Sequence, residues 1–219
     1  MQKLQQRLQL ILSLIIALML SSLTMSACGL ALDSQEQVER GQKAYDEREY
    51  RAAIIDAKAV LRDEPANVDA RLLLGRASVA IGDGASAEKE LRRAIELGVD
   101  SGEVLVDLGR ALLQQRKFDL VLTEIVTDAA NEADQIDVLR IRAEALLGLG
   151  RPAEARESFS QVLALDASDL EAKLGIVNTY IAERAVLNAR ETLNQILADH
   201  EDYIPGLQLS GVLSMQLRD

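Results

Sequence analysis

The chain has 219 residues and a formal net charge of −11, with 24 basic side chains against 35 acidic ones. Such a surface repels phosphate backbones and anionic lipid head groups, which argues against nucleic-acid binding and charge-driven membrane adhesion. A single cysteine rules out an intramolecular disulfide and a cysteine-built metal cage, while three prolines, two phenylalanines and no tryptophan describe a helical chain packed with small and aliphatic residues.

Residues 1–28 read MQKLQQRLQLILSLIIALMLSSLTMSAC. Lys3 and Arg7 form a positive start, Leu8–Leu23 is strongly apolar, and Ser26 and Ala27 precede Cys28. This resembles a bacterial lipoprotein signal, with Met25 where the motif usually has leucine. The resemblance implies cleavage after Ala27, lipid on Cys28 and a tether over 28–33. Removing Lys3 and Arg7 leaves 22 basic against 35 acidic residues, a charge of −13. Gly29 follows the cysteine. In such lipoproteins an aspartate there commonly marks inner-membrane retention, so the expected address is the outer membrane, facing the periplasm. Two alternatives stay open. Residues 8–32 carry no charge and could span a bilayer as an uncleaved helix, or the leader is a plain secretory signal with Cys28 incidental.

From Ser34 onward the chain repeats. LLLGRA at 72–77 returns as VDLGRA at 106–111, thirty-four residues later. The same interval gives Gly41, Gly75, Gly109, Ala143, Val177 and Gly211, and a second comb gives Ala53, Ala87, Val121, Ala155 and Ala189. A fixed period of this length signals a stacked-repeat architecture. The units run 34–67, 68–101, 102–135, 136–169 and 170–203, with the first helix of a partial sixth over 204–219. Each holds two apolar-periodic segments, hence a helix pair. In the second, VDARLLLGRASVAI is the first helix, Gly82-Asp83-Gly84 the turn, ASAEKELRRAIELG the second helix and Gly98 its cap. Pro65 ends the second helix of the first unit.

The small residues are expected where helices come close, with Gly75 and Ala87 facing each other and Ala94 docking the next unit. Bulky apolar residues such as Leu74, Leu91, Leu108 and Phe159 are expected to fill the space between layers. Unit three departs from the pattern: Val121 and Asp128 replace small residues, and TDAANEADQ at 127–135 is polar throughout. Its second helix is expected to end near Val126, followed by a loop. QLSGVLSMQL at the end is too apolar for a capping helix, which points to a longer array. His200, in the polar stretch ADHED, is expected in a solvated loop.

These columns, together with a terminal proline as in GQKAYDEREYRAAIIDAKAVLRDEP, resemble the tetratricopeptide repeat. The usual aromatic at the fourth unit position is replaced by Gln37, Arg71, Leu105, Leu139 and Lys173. The resemblance implies an all-α fold, a right-handed α-solenoid of stacked antiparallel helix pairs whose first helices line a concave groove. Carried over by position, it places Leu72, Leu73, Arg76 and Val79 in that groove, then Val106, Asp107, Arg110 and Leu113. Units four and five add Arg140, Ile141, Glu144, Leu147, Leu174, Asn178 and Ile181. Arginines in an apolar trough suit a carboxylate-bearing peptide, or they pair with Asp107 and Glu144 across units. The clamp by which chaperone-binding members hold a carboxylate tail is absent, since Val38, Leu72 and Val106 occupy its lysine site.

The expected function is a membrane-anchored periplasmic scaffold for a protein or peptide partner. Among lipid-anchored members the chain is similar to the lipoproteins of the PEP-CTERM/exosortase system, which run from a short lead after the cysteine into units like YRAAIIDAKAVLRDEP and ASAEKELRRAIELG. That resemblance implies a role beside exopolysaccharide export and protein sorting. The alternative is the type IV pilus pilotins, which assist secretin assembly. No catalytic set, phosphate loop, cofactor site or metal site is expected.

Overall fold

The computed structural model describes residues 33–126 and 132–217. The leader, the 8–32 segment, Cys28 and Asp128 lie outside them. No helix of the described residues is long and apolar enough to cross a membrane.

Helices and turns account for nearly all of it. The first unit contains α1 (Ser34–Asp46) and α2 (Tyr50–Asp63), the second α3 (Val68–Ala80) and α4 (Gly84–Glu96). The third holds α5 (Leu105–Gln114) and α6 (Phe118–Glu124), the fourth α7 (Glu132–Gly148) and α8 (Pro152–Leu165). The fifth holds α9 (Leu170–Ala182) and α10 (Val186–Asp199), and α11 (Ile204–Leu217) opens a sixth. Asp33, Asn67 and Asp169 cap the first helices of units one, two and five, each side chain accepting the backbone N–H three residues on. These caps satisfy donors that a helix start leaves bare.

Each helix packs on the next in the chain, and the first helices of successive units also touch one another, whereas second helices of successive units do not come comparably close. The layer of first helices is therefore the shorter one, and the stack bends around it. The core is handed from unit to unit. Leu73, Leu74 and Ala77 pack with Ala53 and Ala57 of the unit before, and Val177, Ala189, Leu193 and Ile196 close on Leu213 of α11. No pair buries its own faces, as expected of a solenoid.

Two boundaries differ from the periodic expectation. α5 begins at Leu105, because the Asp100 side chain accepts the Gly102 N–H at 2.7 Å and holds 101–104 in turns. The polar stretch from 127 is not loop throughout, since α7 already runs from Glu132. Asp134 near its start suits the positive end of the helix dipole.

The small residues admit large neighbours. A Cβ at Gly75 would lie 2.7 Å from Leu91 Cδ2, one turn after Ala87 on α4. At Gly41 it would meet Leu73 at 2.7 Å, and at Gly109 it would meet Ile141 at 3.0 Å. Ala53, Ala87, Ala94, Ala143, Ala155 and Ala189 are fully buried. Gly211 differs from the others of its column: a Cβ there would meet nothing within contact.

Candidate partner-binding groove

The concave face is built from the exposed sides of α3, α5, α7 and α9. Their spacing brings side chains of one unit against those of the next, and the arginines show the result. Arg76 pairs with Asp107 at 3.2 Å and Glu103 at 3.5 Å, and Arg110 with Asp137 at 3.1 Å. Arg140 is held by Asp137, Asp169 and Glu171 together. Each arginine thus meets the acid at the second position of the following unit: Glu103, Asp137 or Glu171. Of the two uses open to the arginines, the pairing across units is the one seen. Its partners are only partly those expected, for Glu144 takes none of them.

Exposed ion pairs of this kind contribute about 0–1 kcal/mol each, so the ladder sets register and charge more than stability. With three arginines against Glu103, Asp107, Asp137, Glu144, Asp169 and Glu171, the face is acidic on balance.

Val79, Val106, Leu113, Leu147, Leu174 and Ile181 are half-buried along the groove, and Asn178 is exposed. Leu73 and Ile141 do not belong there. They are 2% and 4% exposed and fill the seams over Gly41 and Gly109. Leu72 is also buried, inside the cluster that joins units two to four. Position six of the unit lies on the border between groove and seam, and a branched aliphatic side chain there turns inward, while Asp107 turns out to pair with Arg76.

A hollow of about 540 Å³ opens between α7 and α9, lined by Arg140, Glu144, Leu147, Phe159, Glu171, Leu174, Gly175, Asn178, Tyr203 and Pro205. Gly175 makes it possible, because the Phe159 ring rises beneath it and a Cβ there would sit 2.4 Å from that ring. The groove walls strip water from the Glu144 carboxyl although it still meets solvent. That loss, then repulsion by Glu171, raises its pKa against the opposing pull of Arg140 and Arg110. Burial, followed by the charges of Glu171 and Asp169, raises the Tyr203 phenol as well.

Of the residues lining the hollow, the sequence places Arg140, Glu144, Leu147, Leu174 and Asn178 in the groove, but not Phe159, Gly175, Tyr203 or Pro205. Glu171 was legible, as the last member of an acidic column, Asp69, Glu103, Asp137 and Glu171, at the same period. His200 is exposed, as is Glu201 beside it.

Two stretches, 44–104 and 146–209, match the model of the family described as tetratricopeptide repeat. No curated protein sequence matches significantly. Among solved structures, Pseudomonas aeruginosa PilF is 20% identical, with a TM-score of 0.62 and 85% of each chain covered. YrrB, described as a tetratricopeptide protein with an unusual peptide-binding site, is 16% identical, covering 82% of this chain and 92% of its own, with a TM-score of 0.59. A tetratricopeptide protein of Thermus thermophilus, TTC0263, is 15% identical, covering 83% and 99%, with a TM-score of 0.61. At these identities the likeness is one of fold.

Proposed function

The chain belongs to the tetratricopeptide repeat family, and on that premise we propose that it is a scaffold holding an extended segment of a protein partner along its concave face, tethered to a membrane through lipid on Cys28. The observation that carries the reading is the groove itself: half-buried Val79, Val106, Leu113, Leu147 and Leu174 run across successive units between charges already paired with one another. A surface of that kind offers apolar contact and an acidic field. A carboxylate-rich peptide is therefore not the favoured partner, because the arginines that would receive it are engaged; a neutral or basic segment is.

The leader supports an outer-membrane lipoprotein facing the periplasm, and the sequence of the first two units supports service to an exopolysaccharide or PEP-CTERM sorting system. A photo-crosslinking residue at Asn178, with a control at the exposed Lys89 on α4, tests the scaffold in the native cell. A discrete partner captured at 178 and missing at 89 is expected; identical capture at both would overturn it. An envelope sorting or export component as partner fits the first assignment, whereas a secretin subunit would favour the pilotin-like alternative. A mass spectrum of the mature protein should show acylated Cys28 as its first residue, and an intact leader would end the anchoring proposal.

A further inference from the structure

The hollow between α7 and α9 has a charge state unlike the rest of the groove. Arg140 at its edge is already met by three carboxylates and has little left for an anion. Glu144 makes no hydrogen bond or ion pair with any described side chain, and Glu171 adds a second carboxylate that reaches solvent. The floor is apolar, formed by the Phe159 ring under Gly175 with Leu147 and Leu174 beside it. Among the described residues no three carboxylate, imidazole or thiol groups converge to hold a metal ion. A bare divalent cation would lack the six or so oxygens it needs.

What suits a carboxylate without a hydrogen-bonded partner above an apolar floor is a cation on a hydrocarbon stem. We propose that this hollow receives a lysine or arginine side chain from the partner's extended segment, the stem lying over Leu147, Phe159 and Leu174 and the charged head meeting Glu144 and Glu171. This rests on the scaffold reading and names the chemistry by which the scaffold selects. Asn178 and Tyr203 line the same hollow, and an amide oxygen and a phenol oxygen are acceptors of the kind such a head requires.

The test uses the full chain in detergent micelles and short serine–alanine peptides differing only in a central lysine, arginine, norleucine or glutamate, with binding read by fluorescence anisotropy. The lysine and arginine peptides should bind about tenfold more tightly than the norleucine peptide, and the glutamate peptide least. Glu144→Gln should remove that preference. Asn178→Arg, which supplies the hollow with its own cation from an exposed position, should do the same by a different route. Equal binding of norleucine and lysine, absence of binding by every peptide, or a preference that survives both variants would overturn the assignment. So would a free alkylamine that binds as tightly as the lysine peptide, since the occupant would then not be a protein segment. If capture at 178 in the cell persists while the peptide preference is absent, the scaffold stands and only this assignment fails.

Discussion

Units two and three share a period and finish their helices by different means. In unit two, α3 and α4 have 13 residues each and begin on side-chain caps from Asn67 and Asp83. The connection between them passes through Gly82 at φ 81°. In unit three, α5 has 10 residues and α6 only 7, neither start carries a side-chain cap, and the turn passes through Arg116 at φ 58°. Neighbours supply what unit three lacks. From its near side Gln114 donates to the Val79 carbonyl at 2.8 Å, and Gln115 to that of Gly84 at 2.9 Å. From the far side the Arg142 guanidinium, on α7, donates to the carbonyls of Leu122 and Ile125 at 2.9 and 2.7 Å. Stability in this array is thus partly lent between units.

The largest test of that contrast is in the core. Leu91→Ala and Leu112→Ala each remove a fully buried leucine and should cost about 3 kcal/mol in denaturant unfolding. In amide exchange, Leu112→Ala should loosen 105–126 ahead of the rest, while Leu91→Ala loosens units two and three together. Equal loosening of both units by Leu112→Ala would erase the distinction.

Acid probes the seam itself. Burial alone would raise the Glu88 carboxyl, but hydrogen bonds from Lys117, Gln115 and Arg92 outweigh it and bring the pKa down to about 2. A depressed folded value gives stability that is complete above the unfolded value of 4.5 and is lost as pH falls toward 2. With Lys117 and Arg92 partly solvated, the loss should be on the order of 2 kcal/mol. Glu88→Gln should flatten the stability–pH curve in that window, and an unchanged slope would show that the seam is not held by this charge.

Arg142→Met keeps the aliphatic stem and removes the bonds to α6, which should cost about 1.5 kcal/mol and raise exchange at 118–126 selectively. A loss spread evenly over all units would contradict the cap. The turns give the smallest effects, with opposite signs. Gly82→Ala should cost about 1 kcal/mol, and Arg116→Gly should gain about 0.5, reduced by the loss of the guanidinium over the Phe118 ring. Matching signs in thermal melts would mean the two turns are not equivalent.

That equivalence marks how far the sequence could be read. Position fifteen of each unit is left-handed, at Arg48, Gly82, Arg116, Gly150 and Arg184. The column has the right period, but its identities alternate, so a search for one residue type passes over it. Gly41, Gly75 and Gly109 stood out because the type itself repeats. Gly148 and Gly175, which lie against the Phe118 and Phe159 rings, serve the same packing purpose off the column, and only the direction of an aromatic side chain reveals it. In the groove, position identified Glu144 and Asn178 but misassigned Leu73 and Ile141, because a border position follows the chemistry of its side chain. The acidic column facing the arginines was present in the letters, but its reach across unit boundaries depends on the superhelical offset, which no single unit encodes.

The Arg142 cap also bears on the order in which the array comes into being. The carbonyls of Leu122 and Ile125 are met by a side chain 20 and 17 residues later in the chain. During synthesis, unit two has its caps and turn glycine as soon as it emerges, while the end of α6 gains its partner only once α7 has left the ribosome. On that ground the end of α6 is expected to close later than the units before it. A nascent chain halted before residue 142 should leave the amides of 121–126 exchanging at peptide rates, and protection there at that stage would show that α6 closes without help.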